Sequence, residues 1–99
     1  MEGVLLDCAV VDDSSLQRLA IVKMINDHPN LKLVAEYNNA IETKNGLLET
    51  KVDLIFLDIE MPKLKGLAFL KTLQNPPYVI ITTAPREYAF EGFELEVLD

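Results

Sequence analysis

Ninety-nine residues leave room for one hydrophobic core, since chains use about 100 to 150 residues per domain. At 49% hydrophobic and 25% charged residues, with only 4 Gly and 5 Pro, the composition excludes a disordered, collagenous or low-complexity chain. Nine Lys and Arg against sixteen Asp and Glu give a net charge of −7, which removes the electrostatic footprint of direct nucleic-acid binding.

A lone Cys8 forms no internal disulfide, and no charged start followed by a long apolar stretch marks a signal peptide or a membrane span. The sequence therefore reads as cytoplasmic, with no membrane partner. Cys8-Ala9-Val10-Val11 is an all-apolar run closed by Asp12 and Asp13, which suits a strand covered on both faces. Ser14 and Ser15 offer hydroxyl caps to a helix from Leu16 to Asp27, stopped by His28-Pro29. Leu16, Leu19, Ala20 and Met24 read as one side of it, while Ile21, Val22 and Ile25 widen the apolar sector beyond what the sheet alone needs.

Leu31 to Glu36 reads as an edge-like strand with Tyr37-Asn38-Asn39 as the turn beyond it. Ala40, Ile41, Leu47 and Leu48 then recur as a stripe on a second helix, with Gly46 as a local weakness. Asp53 to Leu57 is the most apolar run and predicts the central strand, ending at Asp58 before Met61-Pro62 and Gly66 break it. Phe69, Leu70 and Leu73 form the inward face of a third helix, ended by Pro76-Pro77. Tyr78 to Ile81 is a further buried strand running into Thr82-Thr83. Arg86 to Phe93 suits a short helix, and Leu95 to Leu98 the start of a fifth strand.

Strands alternating with helices through short turns specify a parallel, doubly wound α/β sheet of right-handed crossovers. Ligands of such sheets bind beyond the carboxyl ends of the strands, where strand order reverses. That rule singles out Asp12, Asp13, Asp58, Thr82 and Thr83. Two carboxylates about 4 Å apart repel by about 4 kcal/mol at an effective dielectric of about 20. Either one takes up a proton, or a hard divalent cation replaces the repulsion with oxygen coordination. Mg²⁺ suits the second case, because it accepts one or two carboxylates, keeps waters and leaves positions for phosphoryl oxygens. A carboxylate beside it can attack phosphorus and become an acyl phosphate, and Asp58 is the best nucleophile. Taken singly these residues have plainer readings: Asp12-Asp13 as helix-capping acids, Asp58 as a turn former, Thr82 and Thr83 as strand-end hydroxyls.

Three segments carry a resemblance: Val10-Val11-Asp12-Asp13-Ser14, then Leu57-Asp58-Ile59-Glu60-Met61-Pro62 with Gly66, then Ile80-Ile81-Thr82-Thr83-Ala84. Together they span nearly the whole chain, which resembles the receiver domain of bacterial two-component response regulators. The resemblance implies one receiver domain over 1–99, a flavodoxin-like fold of strand order 2-1-3-4-5, and Asp58 as phosphoacceptor for a sensor histidine kinase. It implies Asp13 as a direct Mg²⁺ ligand, Asp12 acting through water, the Glu60 backbone carbonyl as a further ligand, and Thr83, directly before Ala84, as the switch hydroxyl. Such a domain is a signalling element, not an enzyme, and the kinase helices would dock near the first helix. The run Thr82-Thr83-Ala84 with Arg86-Glu87-Tyr88-Ala89 and Phe93-Glu94 resembles the branch whose receivers precede LytTR-type DNA-binding domains.

Receivers of this kind continue past strand five into an aromatic residue, a Lys-Pro pair and a final helix, none of which follows Leu98-Asp99. The chain therefore reads as C-terminally truncated, without its final helix or output domain, and with an apolar face open to homodimerisation. Two other classes share parts of the pattern. A phosphatase of the haloacid dehalogenase type also uses a strand-end Asp but wants a second Asp two residues on, where this chain has Glu60. A pseudo-receiver would keep the fold as a protein-interaction module alone. His28 reads as an exposed helix-end residue, Cys8 as a small hydrophobe, Lys63 and Lys65 as solvated, and Tyr88 and Phe90 as packing residues.

Overall fold

The structure, a computed structural model, describes residues 4–83. Its elements alternate: β1 (Leu6–Val11), α1 (Ser15–Asp27), β2 (Leu31–Tyr37), α2 (Ala40–Glu49), β3 (Leu54–Asp58), a 3₁₀ helix (Leu64–Thr72) and β4 (Tyr78–Thr83). The four strands form one parallel sheet in the order β2-β1-β3-β4. This is the flavodoxin-like arrangement expected, with the order reversing between β1 and β3. The expected helix Arg86 to Phe93 and the fifth strand, Leu95 to Leu98, lie outside the described residues.

Strand alternation divides the core in two. Ala9, Val11, Ile55 and Leu57 face Leu47 of α2 and Leu67 and Leu70 of the 3₁₀ helix. Cys8, Val10, Leu54 and Phe56 face Ile25 of α1, with Ile21 and Val22 packed against them. Every residue of β3 is buried, as an apolar run covered on both faces requires. At the amino-terminal ends of β1 and β3, Asp53 clips the sheet: its carboxylate accepts the Asp7 N–H at 2.9 Å, and its own N–H donates to the Asp7 carbonyl at 2.8 Å.

Helix phase is where the sequence reading needs correction. On α1 the inward stripe is Ile21, Val22 and Ile25, while Leu16, Leu19 and Met24 are 77%, 64% and 46% exposed. Both stripes have helical spacing, so periodicity alone cannot choose between them; the start of the helix does. Ser14 caps it, its hydroxyl accepting the Gln17 N–H at 3.3 Å, and the short turn from β1 then aims the second stripe at the sheet. On α2, Ala40, Thr43 and Leu47 are buried, whereas Ile41 and Leu48 face solvent at 58% and 64% exposure. Thr43 is tolerated inside because its hydroxyl donates to the Asn39 carbonyl at 2.7 Å.

The third helix winds as 3₁₀, which stacks every third residue in one ridge. Leu67 and Leu70 are therefore the buried pair, and Leu73, the extended residue that ends the helix, is 36% exposed instead of inward. Strand β2 runs one residue further than expected, through Tyr37, which pairs with Val11. The Tyr37 ring lies against Gly46, where any Cβ would collide with it. That close approach accounts for a glycine inside α2 despite its helix cost of about 1 kcal/mol.

Candidate functional site

Strands β1 and β3 are neighbours, and their ladder pairs Val11 with Leu57. The residues that follow those two are Asp12 and Asp58, so the register delivers both acids to one rim, with Asp13 next along the chain. One carboxylate oxygen from each of Asp12, Asp13 and Asp58 lies within 4.8 Å of the others. Asp12 and Asp58 are buried, at 1% and 3% exposure, and Asp13 opens to solvent. Among the described residues no other group of acids, His or Cys comes together in this way.

Backbone donors hold the two buried acids. The Ser14 N–H donates to Asp12 Oδ1 at 2.8 Å, and the Glu60 N–H donates to Asp58 Oδ1 at 2.9 Å. Ser14, not Asp12, is the N-cap of α1, and the Asp12 carboxylate accepts the N–H of that capping residue. Burial, chiefly, pushes the Asp58 carboxyl above the ordinary carboxylate range. The Glu60 N–H opposes the rise, while the charges of Asp12 and Asp13 and a side-chain hydrogen bond with Asp12 reinforce it.

Strand β4 contributes through its register. Leu57 pairs with Ile81, but Asp58 pairs with Thr83, so Thr82 is skipped at a local irregularity. Thr83, not Thr82, is thus the strand neighbour of Asp58. Beyond Asp58 the chain turns through Lys63, whose φ of 64° is left-handed. Lys63 and the Glu60 side chain are exposed on this loop, and Lys65 is exposed in the first turn of the 3₁₀ helix. Cys8 is buried with its thiol pushed up by burial, and His28, at the far end of α1, accepts the Asn30 N–H on Nδ1 at 3.1 Å.

Two further groups, neither of them an acid, hold Asp12 in place. The Tyr37 carbonyl accepts the Asp12 N–H at 3.1 Å, and Arg18 donates from Nη1 to the Asp12 carbonyl at 2.7 Å. A backbone acceptor carries no residue signature. Arg18 does carry one, since it is the sole arginine among the described residues and lies one helical turn beyond Ser14.

The carboxylates present an all-oxygen donor set, close enough to converge on one small hard cation, as Mg²⁺ requires. The site lies at the carboxyl ends of the strands, beside the reversal of strand order, where doubly wound sheets bind ligands.

This fold and rim define a receiver: the chain belongs to the response regulator receiver domain family, whose model matches residues 8–99. Protein MrkE of Klebsiella pneumoniae is 31% identical over 102 residues, covering 100% of this chain and 38% of that protein. The crystal structure of its response regulatory domain has a TM-score of 0.83 at 29% identity, covering 95% of this chain and 80% of that one. The transcriptional regulatory protein BtsR of Escherichia coli K12 is 33% identical over 92 residues, 91% of this chain and 38% of BtsR. The chain thus spans about two fifths of the length of these curated relatives. A structure of the P1 domain of CheA3 in complex with CheY6 from R. sphaeroides matches with a TM-score of 0.68 and 35% identity, over 80% of this chain and 64% of that one.

Proposed function

We propose that the chain is a phosphoacceptor, taking one phosphoryl group onto Asp58 from a phosphohistidine of a sensor histidine kinase and passing the change to an output domain. The observation that carries this reading is the convergence of Asp12, Asp13 and Asp58 within 4.8 Å at the rim of a receiver fold. Asp58 Oδ1 accepts the Glu60 N–H at 2.9 Å, which restricts the rotation of the carboxylate at the rim. The new O–P bond forms as the P–N bond to the donor imidazole breaks, and the electron pair of that bond stays on the ring nitrogen. Asp58 must be ionised to attack, so neutralising the crowded acids is part of the task.

Asp13 and Asp58 would hold Mg²⁺ directly, with Asp12 acting through water and the Glu60 backbone carbonyl as a further ligand. When bound, the ion offsets the charge of the three carboxylates and of the phosphoryl oxygens. Thr83, the strand neighbour of Asp58, is the hydroxyl residue of the switch. The chain accepts a phosphoryl group once and turns over no external substrate. The outward stripe of α1, Leu16, Leu19 and Met24, is the surface for the kinase's helices, a pairing consistent with the CheA3 P1 complex of CheY6. The BtsR relationship and the run from Arg86 to Glu94 support a transcriptional output of LytTR type. No helix among the described residues is long and apolar enough to cross a membrane, in keeping with a cytoplasmic site of action.

The test uses the protein expressed from its whole open reading frame, incubated with acetyl phosphate and Mg²⁺. One hydroxylamine-labile phosphoryl group per chain, lost in Asp58→Asn, is the expected result. Continuing phosphate release would indicate a phosphatase. Failure to bind either Mg²⁺ or beryllofluoride would leave an interaction module and overturn the proposal.

A further inference from the structure

Asp12 is buried, so its backbone carbonyl needs a partner as much as its carboxylate does. That partner is a side chain: Arg18 Nη1 donates to the Asp12 carbonyl at 2.7 Å. The same guanidinium presents Nε to Glu36 Oε1 at 3.4 Å, and Arg18 is itself only 20% exposed. Glu36 precedes Tyr37 on β2, and the Tyr37 carbonyl accepts the Asp12 N–H at 3.1 Å. The contacts close a ring from β1 to β2, to α1, and back to β1.

We propose that Arg18 is a positioning residue of the phosphoacceptor site, which fixes the peptide plane between Asp12 and Asp13 and thereby the placement of the Asp13 carboxylate. The proposal rests on the phosphoacceptor reading. Without the guanidinium, the Asp12 carbonyl would be left unpaired in a buried position, and the Asp12-Asp13 peptide would rotate toward water to satisfy it. Asp13 hangs from that peptide, so its carboxylate would leave the cluster. Glu36 steers the guanidinium, and the planar fork of Arg reaches both acceptors where a Lys ammonium reaches one.

Simple electrostatics gives the opposite sign, which makes the role testable. Removing a cation beside three acids should tighten binding of a divalent ion; removing a support that aims one of those acids should weaken it. The experiment is calorimetric titration of Mg²⁺ into wild type, Arg18→Met, Arg18→Lys and Glu36→Gln, with the amide ¹⁵N and ¹H shifts of Asp13 and the Tm measured alongside. Expected are about tenfold weaker binding for Arg18→Met, the low end of effects seen for groups that orient metal ligands, and about threefold weaker for Arg18→Lys. Glu36→Gln, which keeps an acceptor oxygen, should stay within about twofold. The Asp13 amide should shift in both Arg18 variants.

Unchanged or tighter binding by Arg18→Met overturns the proposal, even if its Tm falls, because that pattern is structural support alone. Should Arg18→Met not fold, Arg18→Lys decides: weaker binding with a moved Asp13 amide supports the role, and wild-type affinity removes it. Wild type that fails to titrate with Mg²⁺ defeats the phosphoacceptor reading itself, whereas wild type that binds beside an unaffected Arg18→Met defeats only the role of Arg18.

Discussion

Asp58 on β3 stands opposite Thr83 on β4, although the preceding residue Leu57 stands opposite Ile81. The skipped residue is Thr82, so the slip gives two adjacent threonines different places relative to Asp58. Thr83→Ala is expected to slow acyl-phosphate formation from acetyl phosphate by about tenfold or more, the worth of one hydrogen bond to a charged group. Thr82→Ala should stay within about twofold. Stopped-flow phosphorylation of the two variants checks the pair, and a reversed order would reassign the switch residue.

Asp58 is held above its ordinary carboxylate value, mainly by burial, so the folded chain binds this proton more tightly than the unfolded chain does. Its burden on stability is absent below the ordinary value of about pH 4 and grows as pH rises through the raised folded value. In metal-free buffer, Asp58→Asn should therefore melt higher than wild type at pH 7, by about 4–8 °C for each kcal/mol relieved. The gap should close near pH 4 and shrink when Mg²⁺ is added to wild type. Thermal melts across that range provide the check.

Lys63 has a φ of 64°, a backbone region that side chains other than Gly and Asn enter at a cost of about 1–2 kcal/mol. Lys63→Gly removes that cost but adds unfolded-state entropy, for a net gain of about 0.5 kcal/mol. Lys63→Val should lose about 1–2 kcal/mol because a β-branched residue fits there worst. Urea unfolding of the three proteins measures the order Gly, Lys, Val.

On α1, Leu16 and Leu19 are 77% and 64% exposed and belong to neither core cluster. Leu16→Asp with Leu19→Asp should leave phosphorylation by acetyl phosphate within about twofold, since surface changes rarely disturb folding by more than about 0.5 kcal/mol. Transfer from a phosphohistidine donor domain should fall by about tenfold or more, as when anchoring apolar contacts are lost. Equal loss with both donors would place the defect in the acid site instead.

The strands were legible because their runs are short, apolar and ended by acids: Val10-Val11 before Asp12, Phe56-Leu57 before Asp58. Parallel pairing then put those acids at one rim without further information. Helix facing was not legible in the same way. On α1 and α2 a second apolar stripe lies beside the first, and only the cap at Ser14 and the burial of Thr43 show which one meets the sheet. The 3₁₀ winding of Leu64–Thr72 was hidden too, since Leu67, Leu70 and Leu73 share the spacing of three that an α-helix also tolerates. The role of Arg18 is not legible because its contact is with a carbonyl, and the sequence does not say which carbonyl needs a donor.

Both register slips in the sheet fall beside the central pair, one between β1 and β2 at Cys8 and Ala9 and one where β4 skips Thr82. The β1–β3 ladder runs from Cys8 opposite Leu54 to Val11 opposite Leu57 without a break. The gap between Asp12 and Asp58 is thereby gauged by one continuous run of pairs, so an insertion at either flanking slip would reshape the wings of the molecule before it altered the spacing of these two acids.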